Sequence, residues 1–200
     1  MNKILAVLGA SLISASASAS LMTLETRGIT GSIDDTDFIT SWNNQTSAIN
    51  TSTLSDFNMY QSGNNSISHL SVDFSLASSG NLIFQAGLDA GYGAAFYLDN
   101  SLIENRTDDL WWGYNWNHSD VMTSLSNSLS SGDHMLDLYW AEGCCNGASS
   151  LRYSTDNGSS WQSMANANDP SAQAVSEPGS LLLLSLGLIG VGTTRRLMKK

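Results

Sequence analysis

Residues 70–76 read Leu-Ser-Val-Asp-Phe-Ser-Leu, with an apolar side chain at every second position. This period of two is typical of a β-strand that buries one face and exposes the other. Turn-forming residues follow such stretches, and the clearest is Asp156-Asn157-Gly158, a strong hairpin signal. We therefore predict an all-β fold, with short antiparallel strands packed as a β-sandwich or jelly roll. The other stretches with the same alternation are 82–86, 94–98, 136–140 and 151–153.

The charge of the chain is strongly negative and unevenly distributed. Its 200 residues carry 8 Lys and Arg against 18 Asp and Glu, a formal net charge of −10. Between residues 20 and 176 there is no lysine, and three arginines stand against 17 acidic residues. Such a body repels nucleic-acid phosphates and anionic lipid head groups. We therefore exclude nucleic acid as a partner, and the charge favours neutral glycans or cations instead.

The N-terminus has the three parts of a secretory signal peptide. Lys3 provides the positive charge, and residues 4–13 form an apolar segment that is too short to span a bilayer. Small residues follow over 14–20 and suit a cleavage site. A buried N-terminal helix is the alternative. We predict a signal peptide over 1–19, followed by a β-sandwich domain over 20–164.

A second apolar segment lies near the C-terminus, over about residues 179–194. Its length is marginal for a transmembrane helix. The basic tail, 195–200, would stay cytoplasmic and leave the domain outside the cytoplasm. Before the apolar segment, residues 165–175 are small and polar, which predicts a flexible stalk.

Residues 176–200 resemble the PEP-CTERM sorting signal, which combines a Pro-Glu-Pro-like motif, an apolar helix and an Arg-rich end. Ser176, Glu177 and Pro178 correspond to the motif, with serine in place of the first proline, and Arg195 and Arg196 to the basic end. The resemblance implies processing by an exosortase in the inner membrane of a Gram-negative bacterium. The inner-membrane anchor would be transient, and the protein would then reach the cell surface or extracellular matrix. A plain C-terminal membrane anchor is the alternative.

Two stretches of the body resemble PA14 β-sandwich domains. Residues 84–103 are similar to the middle of that sandwich, and residues 129–142 are similar to its closing hairpin. The family's paired aspartates correspond here to Leu88 and Asp89, so one metal-ligand position is missing. The resemblance implies a PA14-like sandwich.

Acidic side chains in the same part of the chain are candidate ligands for Ca²⁺. Asp89 and Asp99 are the leading pair, and carboxylate oxygens are ligands that Ca²⁺ prefers. The alternative is that these residues cap turns by accepting hydrogen bonds from nearby backbone. Further oxygen ligands in the region are Asp108, Asp109, Asn100 and Asn105.

Residues 111–118 read Trp-Trp-Gly-Tyr-Asn-Trp-Asn-His and place four aromatic rings within six positions. Aromatic faces flanked by polar groups suit a sugar, because rings stack on its apolar face and polar groups bind its hydroxyls. The alternative is that two of the tryptophans fill the core of the sandwich. The ligand-binding residues that we predict are Trp111, Trp112, Tyr114, Trp116 and Asn117.

Cys144 and Cys145 are adjacent and are the only cysteines in the sequence. Export favours disulfides, and we predict a vicinal disulfide that stiffens the loop and exposes a flat sulfur surface. Two free thiols, or pairing with another chain, are the alternatives. The Cys-Cys-x-Gly pattern of residues 144–147 resembles a group of PEP-CTERM proteins that carry this motif.

Residues 154–161, Ser-Thr-Asp-Asn-Gly-Ser-Ser-Trp, resemble an Asp-box hairpin. In the families that carry it, this box is structural. The resemblance therefore implies a turn that locks the fold rather than a binding site.

Catalytic motifs are absent from the sequence, which has no Gly-x-Ser-x-Gly, His-Glu-x-x-His or phosphate loop. Glu104 and Glu142 are a formal acid/base pair, but nothing in the sequence selects them. We predict a non-catalytic surface or matrix protein associated with carbohydrate or exopolysaccharide. The alternatives are a structural biofilm-matrix component without a specific ligand, and a glycoside hydrolase.

Overall fold

β-Strands form nearly all of the regular structure in the computed structural model, which describes residues 20–61 and 63–167. There is one α-helix, α1 (Phe38–Asn43), within the described residues, and a 3₁₀ turn covers Met164–Asn166. The strands are β1 (Leu21–Gly28), β2 (Asn50–Leu54), β3 (Ser66–Leu76), β4 (Gly80–Gly87), β5 (Asp89–Ala90), β6 (Ala94–Leu98), β7 (Ser101–Arg106), β8 (Leu110–Trp111), β9 (Met122–Leu129), β10 (Gly132–Glu142), β11 (Ser150–Ser154) and β12 (Gln162–Ser163).

The strands form two main antiparallel sheets and one short ribbon. The larger sheet has six strands in the order β2-β1-β3-β10-β6-β7, and the smaller has four in the order β12-β11-β4-β9. Strands β5 and β8 pair with each other as a separate two-stranded ribbon. The predicted all-β antiparallel sandwich is confirmed.

The main core lies between the inner faces of the two sheets. Each alternating stretch of the sequence contributes every second side chain to it, because a strand points successive side chains to opposite faces. The predicted strands are therefore confirmed together with the face that each of them buries. Core residues from these stretches are Leu70, Val72, Phe74, Leu82, Phe84, Phe96, Leu136, Leu138, Trp140, Leu151 and Tyr153.

A second apolar cluster covers the outer face of the six-stranded sheet. Helix α1 supplies Phe38 and Trp42, which pack against Ile67 and Tyr139 of the sheet. Asp37 begins the helix as its N-cap, and its carboxylate accepts a hydrogen bond of 3.0 Å from the Thr40 amide. The polar composition of residues 40–65 predicts loops with one short strand. The structure has one short strand there, β2, and also helix α1, which the sequence does not predict.

The packed domain continues to Ala167, which is fully buried together with Met164. It therefore extends three residues beyond the end that the sequence predicts, at residue 164. The predicted signal peptide, the remaining stalk and the C-terminal sorting signal lie outside the described residues. Among residues 20–61 and 63–167, no helix is long and apolar enough to cross a membrane.

Candidate functional site

A cavity of about 520 Å³ opens where the β5–β8 ribbon meets the end of β10. We call it the disulfide cavity. The register of the ribbon places Asp89 directly opposite Trp111, so two residues far apart in the sequence meet at the cavity wall. Its lining residues are Asp89, Gly91, Tyr92, Asp109, Trp111, Glu142, Gly143, Cys144 and Cys145.

Two exposed aromatic rings line the disulfide cavity. Trp111 is 45% exposed and Tyr92 is 41% exposed, so both rings have surface available to a ligand. Sequence reasoning predicts Trp111 but misses Tyr92, which lies in a glycine-rich turn. The sequence does contain a signal for Tyr92, namely a large aromatic side chain between two glycines, Gly91 and Gly93.

The polar wall of the cavity is acidic. Glu142 is 4% exposed, and its two carboxylate oxygens accept hydrogen bonds from the amides of Gly91 (2.9 Å) and Cys144 (2.6 Å). Burial raises the pKa of Glu142, although these two hydrogen bonds act against the shift; the negative charges of Asp89 and Asp109 raise the pKa further. Three carboxyl groups therefore face one cavity, and a negatively charged ligand would be repelled.

The Cys144–Cys145 loop forms the third wall and is held from two directions. The two cysteines are joined by a disulfide, and both line the cavity. On one side, the Gly63 amide donates a hydrogen bond of 2.8 Å to the side-chain oxygen of Asn146. On the other side, the Gly147 amide donates a hydrogen bond to Asp89. The loop is thus fixed between the segment around Gly63 and strand β5.

Gly147 ends this loop because no side chain fits there. A Cβ atom at this position would lie 2.7 Å from Asp89 Oδ2 and still closer to the Trp111 ring. The glycine lets the backbone pass against the two residues that shape the cavity wall. This close approach is a physical reason for the glycine of the Cys-Cys-x-Gly pattern.

Trp112 belongs to the interior, so its predicted ligand-binding role is wrong. Its side chain is 2% exposed, and its indole Nε1 donates a hydrogen bond of 2.7 Å to the carbonyl oxygen of Ala148. The ring lies against Gly87, where any Cβ atom would overlap it. Trp112 directly follows β8, and its side chain points into the interior whereas that of Trp111 points outward.

The remaining residues of the aromatic stretch do not form one platform. Gly113 (φ +56°) and Tyr114 (φ +59°) both adopt left-handed backbone and turn the chain away from β8. Tyr114 is 50% exposed, whereas Trp116 lies against Arg152 in a separate cavity. Asn117 is exposed, and its amide donates a hydrogen bond to Asn115 within the turn.

Asp89 and Asp99 are too far apart to bind one calcium ion, so the predicted pair is wrong. Asp89 lies beside the Glu142 end of β10, whereas Asp99 accepts a hydrogen bond from the Met135 amide (3.0 Å) and pairs with His134 (2.8 Å). The seven residue steps from Met135 to Glu142 span about 24 Å of strand. Asp99 is a turn residue with φ +48° that caps the β6–β7 hairpin. Among the described residues, no group of three His, Cys, Asp or Glu side chains is placed to hold a metal ion.

The Asp156 hairpin has the hydrogen bonds of a closed turn. The Asp156 carboxylate accepts hydrogen bonds from the Ser160 hydroxyl (2.7 Å), the Ser160 amide (2.8 Å) and the Ser154 hydroxyl (2.8 Å). Trp161 follows immediately and stacks on Arg152, with 4.2 Å from the guanidinium carbon to the ring centroid. The hairpin therefore positions Trp161.

Asp156→Asn is expected to remove part of the acid sensitivity of the fold. The Ser160 hydroxyl and amide, with the Ser154 hydroxyl, lower the pKa of Asp156 to about 2. A carboxyl whose pKa is lower when folded stabilises the fold above about pH 4 and loses this effect as the pH falls towards 2. The destabilisation by Asp156→Asn, measured by urea unfolding, should therefore be larger at pH 7 than near pH 2. Asp73→Asn, at an exposed carboxylate of β3, is the control. An equal destabilisation at both pH values would contradict the expectation.

Residues 174–196 match the PEP-CTERM protein-sorting motif. The chain carries a PEP-CTERM sorting signal. The match includes all of the residues predicted for it, namely Ser176, Glu177, Pro178, Arg195 and Arg196. The PEP-CTERM signal marks an exported protein that passes through the membrane to the cell surface, and it implies processing by an exosortase.

The sandwich has the PA14 fold. The PA14 domain of the antifreeze protein MpAFP superposes with a TM-score of 0.52 at 13% identity, over 77% of this chain and 93% of that one. A PA14 sugar-binding domain from an RTX adhesin gives a TM-score of 0.43 at 11% identity, over 73% and 95%. The β-glucosidase from Kluyveromyces marxianus, solved with glucose, gives 0.43 at 10% identity, over 68% and 16%. No curated protein matches the sequence.

Proposed function

We propose that the PA14-like domain of this PEP-CTERM protein binds a neutral carbohydrate in the disulfide cavity and catalyses no reaction on it. The observation that carries the proposal is that two exposed rings, Trp111 and Tyr92, line the same cavity as Asp89, Asp109 and Glu142. Aromatic rings stack on the apolar face of a sugar, and carboxylate oxygens accept hydrogen bonds from its hydroxyls.

The Glu142 carboxylate retains acceptor capacity for such hydroxyls. Each carboxylate oxygen of Glu142 accepts one backbone hydrogen bond, whereas an ionised carboxylate has about four lone-pair sites. The negative charge of the cavity carboxylates favours neutral sugars over uronic acids or sulfated sugars. We therefore infer that the protein associates with a neutral exopolysaccharide outside a Gram-negative cell.

The separation of Glu104 and Glu142, the formal acid/base pair in the sequence, supports the non-catalytic proposal. Glu104 pairs with Phe96, which pairs in turn with Leu138, four residues before Glu142 on β10. This offset alone is about 14 Å along the strand, and glycosidases of either stereochemistry place their two carboxyls within about 9.5 Å. Glu104 and Glu142 therefore cannot flank one glycosidic bond.

Affinity electrophoresis of the purified protein in native gels tests carbohydrate binding. The gels contain soluble neutral β-glucan, arabinoxylan, dextran or galactomannan, and we expect at least one of them to retard the protein. Trp111→Ala should weaken that retardation by about tenfold or more, which corresponds to about 1.4 kcal/mol of lost stacking. Leu102→Ala removes an equally exposed apolar side chain away from the cavity and should change nothing.

Two outcomes would contradict the proposal. Retardation by none of the neutral polysaccharides would favour the alternative of a matrix component without a specific ligand. Release of reducing sugar from a bound polysaccharide would favour a glycoside hydrolase. A parallel gel with EDTA tests calcium, and we expect EDTA to leave the retardation unchanged because Asp89 and Asp99, the leading pair of predicted ligands, do not come together.

A further inference from the structure

A second cavity, of about 230 Å³, lies beside Trp116. We call it the arginine cavity, because the Arg152 guanidinium lies between two tryptophan rings there. Its carbon is 4.0 Å from the ring centroid of Trp116 and 4.2 Å from that of Trp161. Arg152 is fixed from behind, since Nε and Nη2 donate hydrogen bonds of 3.0 and 2.7 Å to the side-chain oxygen of Gln85. Two partly exposed indole rings are thus held rigidly around one cation.

The arginine cavity has the same kinds of groups as a sugar site. Trp116 and Trp161 offer aromatic surface, and the polar lining includes Asp56, Asn58 and Gln162. The Ser163 hydroxyl donates a hydrogen bond of 2.5 Å to Asp56, which fixes that carboxylate at the rim. One arginine and one aspartate leave the cavity with balanced charge, so it suits a neutral ligand as the disulfide cavity does.

A continuous series of ring contacts joins the two cavities. Trp111 in the disulfide cavity contacts Tyr114 at 5.6 Å between centroids, and Tyr114 contacts Trp112 at 5.7 Å. Trp112 in turn contacts Trp116, in the arginine cavity, at 4.7 Å. Trp112 is the buried support of this series, whereas Tyr114 is half exposed between the two ends. A ligand that occupies both cavities must therefore extend beyond a single sugar ring.

We propose that the disulfide cavity and the arginine cavity are two subsites of one extended site, which binds several consecutive units of a polysaccharide chain. This inference rests on the proposed function of the disulfide cavity and adds its substrate class, a polymer rather than a free sugar. Trp161 and Trp116 bind the units that lie beyond Tyr114. The affinity of the site should therefore increase with the length of the chain until both subsites are filled.

Isothermal titration of the purified protein tests the inference with the polysaccharide that retards the protein in native gels. The probes are oligosaccharides produced from that polymer and separated by length, from the monosaccharide to the octasaccharide. We expect a rise in affinity of about tenfold or more between the shortest binding oligosaccharide and the longest. Trp161→Ala should remove most of that rise and leave the affinity of the shortest one unchanged.

Companion variants separate binding from folding. Trp161→Phe keeps a ring over Arg152 and should restore part of the gain with length. Asp56→Asn changes an exposed rim residue and should weaken binding of long oligosaccharides alone. Leu102→Ala should behave as the original protein does.

The outcomes distinguish this inference from the proposed function. Equal affinity for all lengths, with no effect of Trp161→Ala or Asp56→Asn, would overturn the extended site and leave the disulfide cavity as a single-unit site. The extended site is also overturned if Trp161→Ala weakens binding of all lengths equally. Binding of no neutral polysaccharide would overturn the proposed function and the extended site together.

Discussion

Trp112→Ala is expected to destabilise the domain by about 3–5 kcal/mol, whereas Trp111→Ala should cost about 1 kcal/mol or less. The two residues are adjacent and chemically identical, but only Trp112 is buried and hydrogen-bonded to Ala148. Its removal leaves a cavity between Gly87 and Trp116 and an unpaired carbonyl group. Trp111 is already 45% exposed, so its removal loses much less buried apolar surface. Urea unfolding followed by circular dichroism measures both free energies.

The same pair of variants separates an effect on the stability of the fold from an effect on polysaccharide binding. Trp111→Ala should weaken polysaccharide binding by about tenfold or more and keep most of its stability. Trp112→Phe should recover part of the stability that Trp112→Ala loses, because a smaller ring still fills much of the space. If Trp112→Ala unfolds at the same urea concentration as the original protein, the burial of this side chain is wrong. If Trp111→Ala binds polysaccharide normally, the disulfide cavity is not the site.

The sandwich was predictable because its signal is local. A strand with one buried face alternates apolar and polar residues, and the pattern at 70–76 can be read without knowing its neighbours. The sorting signal was predictable for a related reason, since its three parts follow one another along residues 174–196. Features that depend on consecutive residues are available to sequence reasoning.

Helix α1 is not predictable from the sequence because its stability is not local. Six residues are too few to show a helical repeat, and such a short helix is not stable by itself. It exists because Phe38 and Trp42 pack on Ile67 and Tyr139, which belong to distant strands. No pattern within residues 38–43 indicates those partners.

The candidate site was predictable only in part, because strand pairing assembles it. The aromatic stretch is evident in the sequence, but its three tryptophans divide between the core and two cavities. Asp89 meets Trp111 through the register of β5 and β8, and Arg152 reaches Trp116 from a separate hairpin. Asp89 and Asp99 are close in the sequence and therefore look like one group of ligands. In the fold, Asp99 lies beside Met135 and Asp89 lies near Glu142, towards the other end of β10.

Gly147→Ala is expected to weaken polysaccharide binding about as much as Trp111→Ala does. The added methyl group would collide with the Trp111 ring and come within 2.7 Å of Asp89 Oδ2. Either the ring moves, which changes the aromatic wall of the disulfide cavity, or the loop moves and breaks the hydrogen bond from Gly147 to Asp89. Overpacking of this kind costs about 1–3 kcal/mol of stability. Affinity electrophoresis and urea unfolding measure the two effects on the same samples.

Gly143→Ala is the matched control, because it adds the same methyl group to the same loop. Its Cβ atom would lie 3.4 Å from the Tyr92 ring, which is close to ordinary contact, so binding and stability should change little. Intact mass must show both variants two hydrogens lighter than the reduced chain, so that any difference between them is independent of the Cys144–Cys145 disulfide. A Gly147→Ala protein with unchanged binding and stability would show that the loop does not press on Trp111. Loss of binding in both variants would instead show that the whole loop, rather than the contact at Gly147, sets the shape of the cavity.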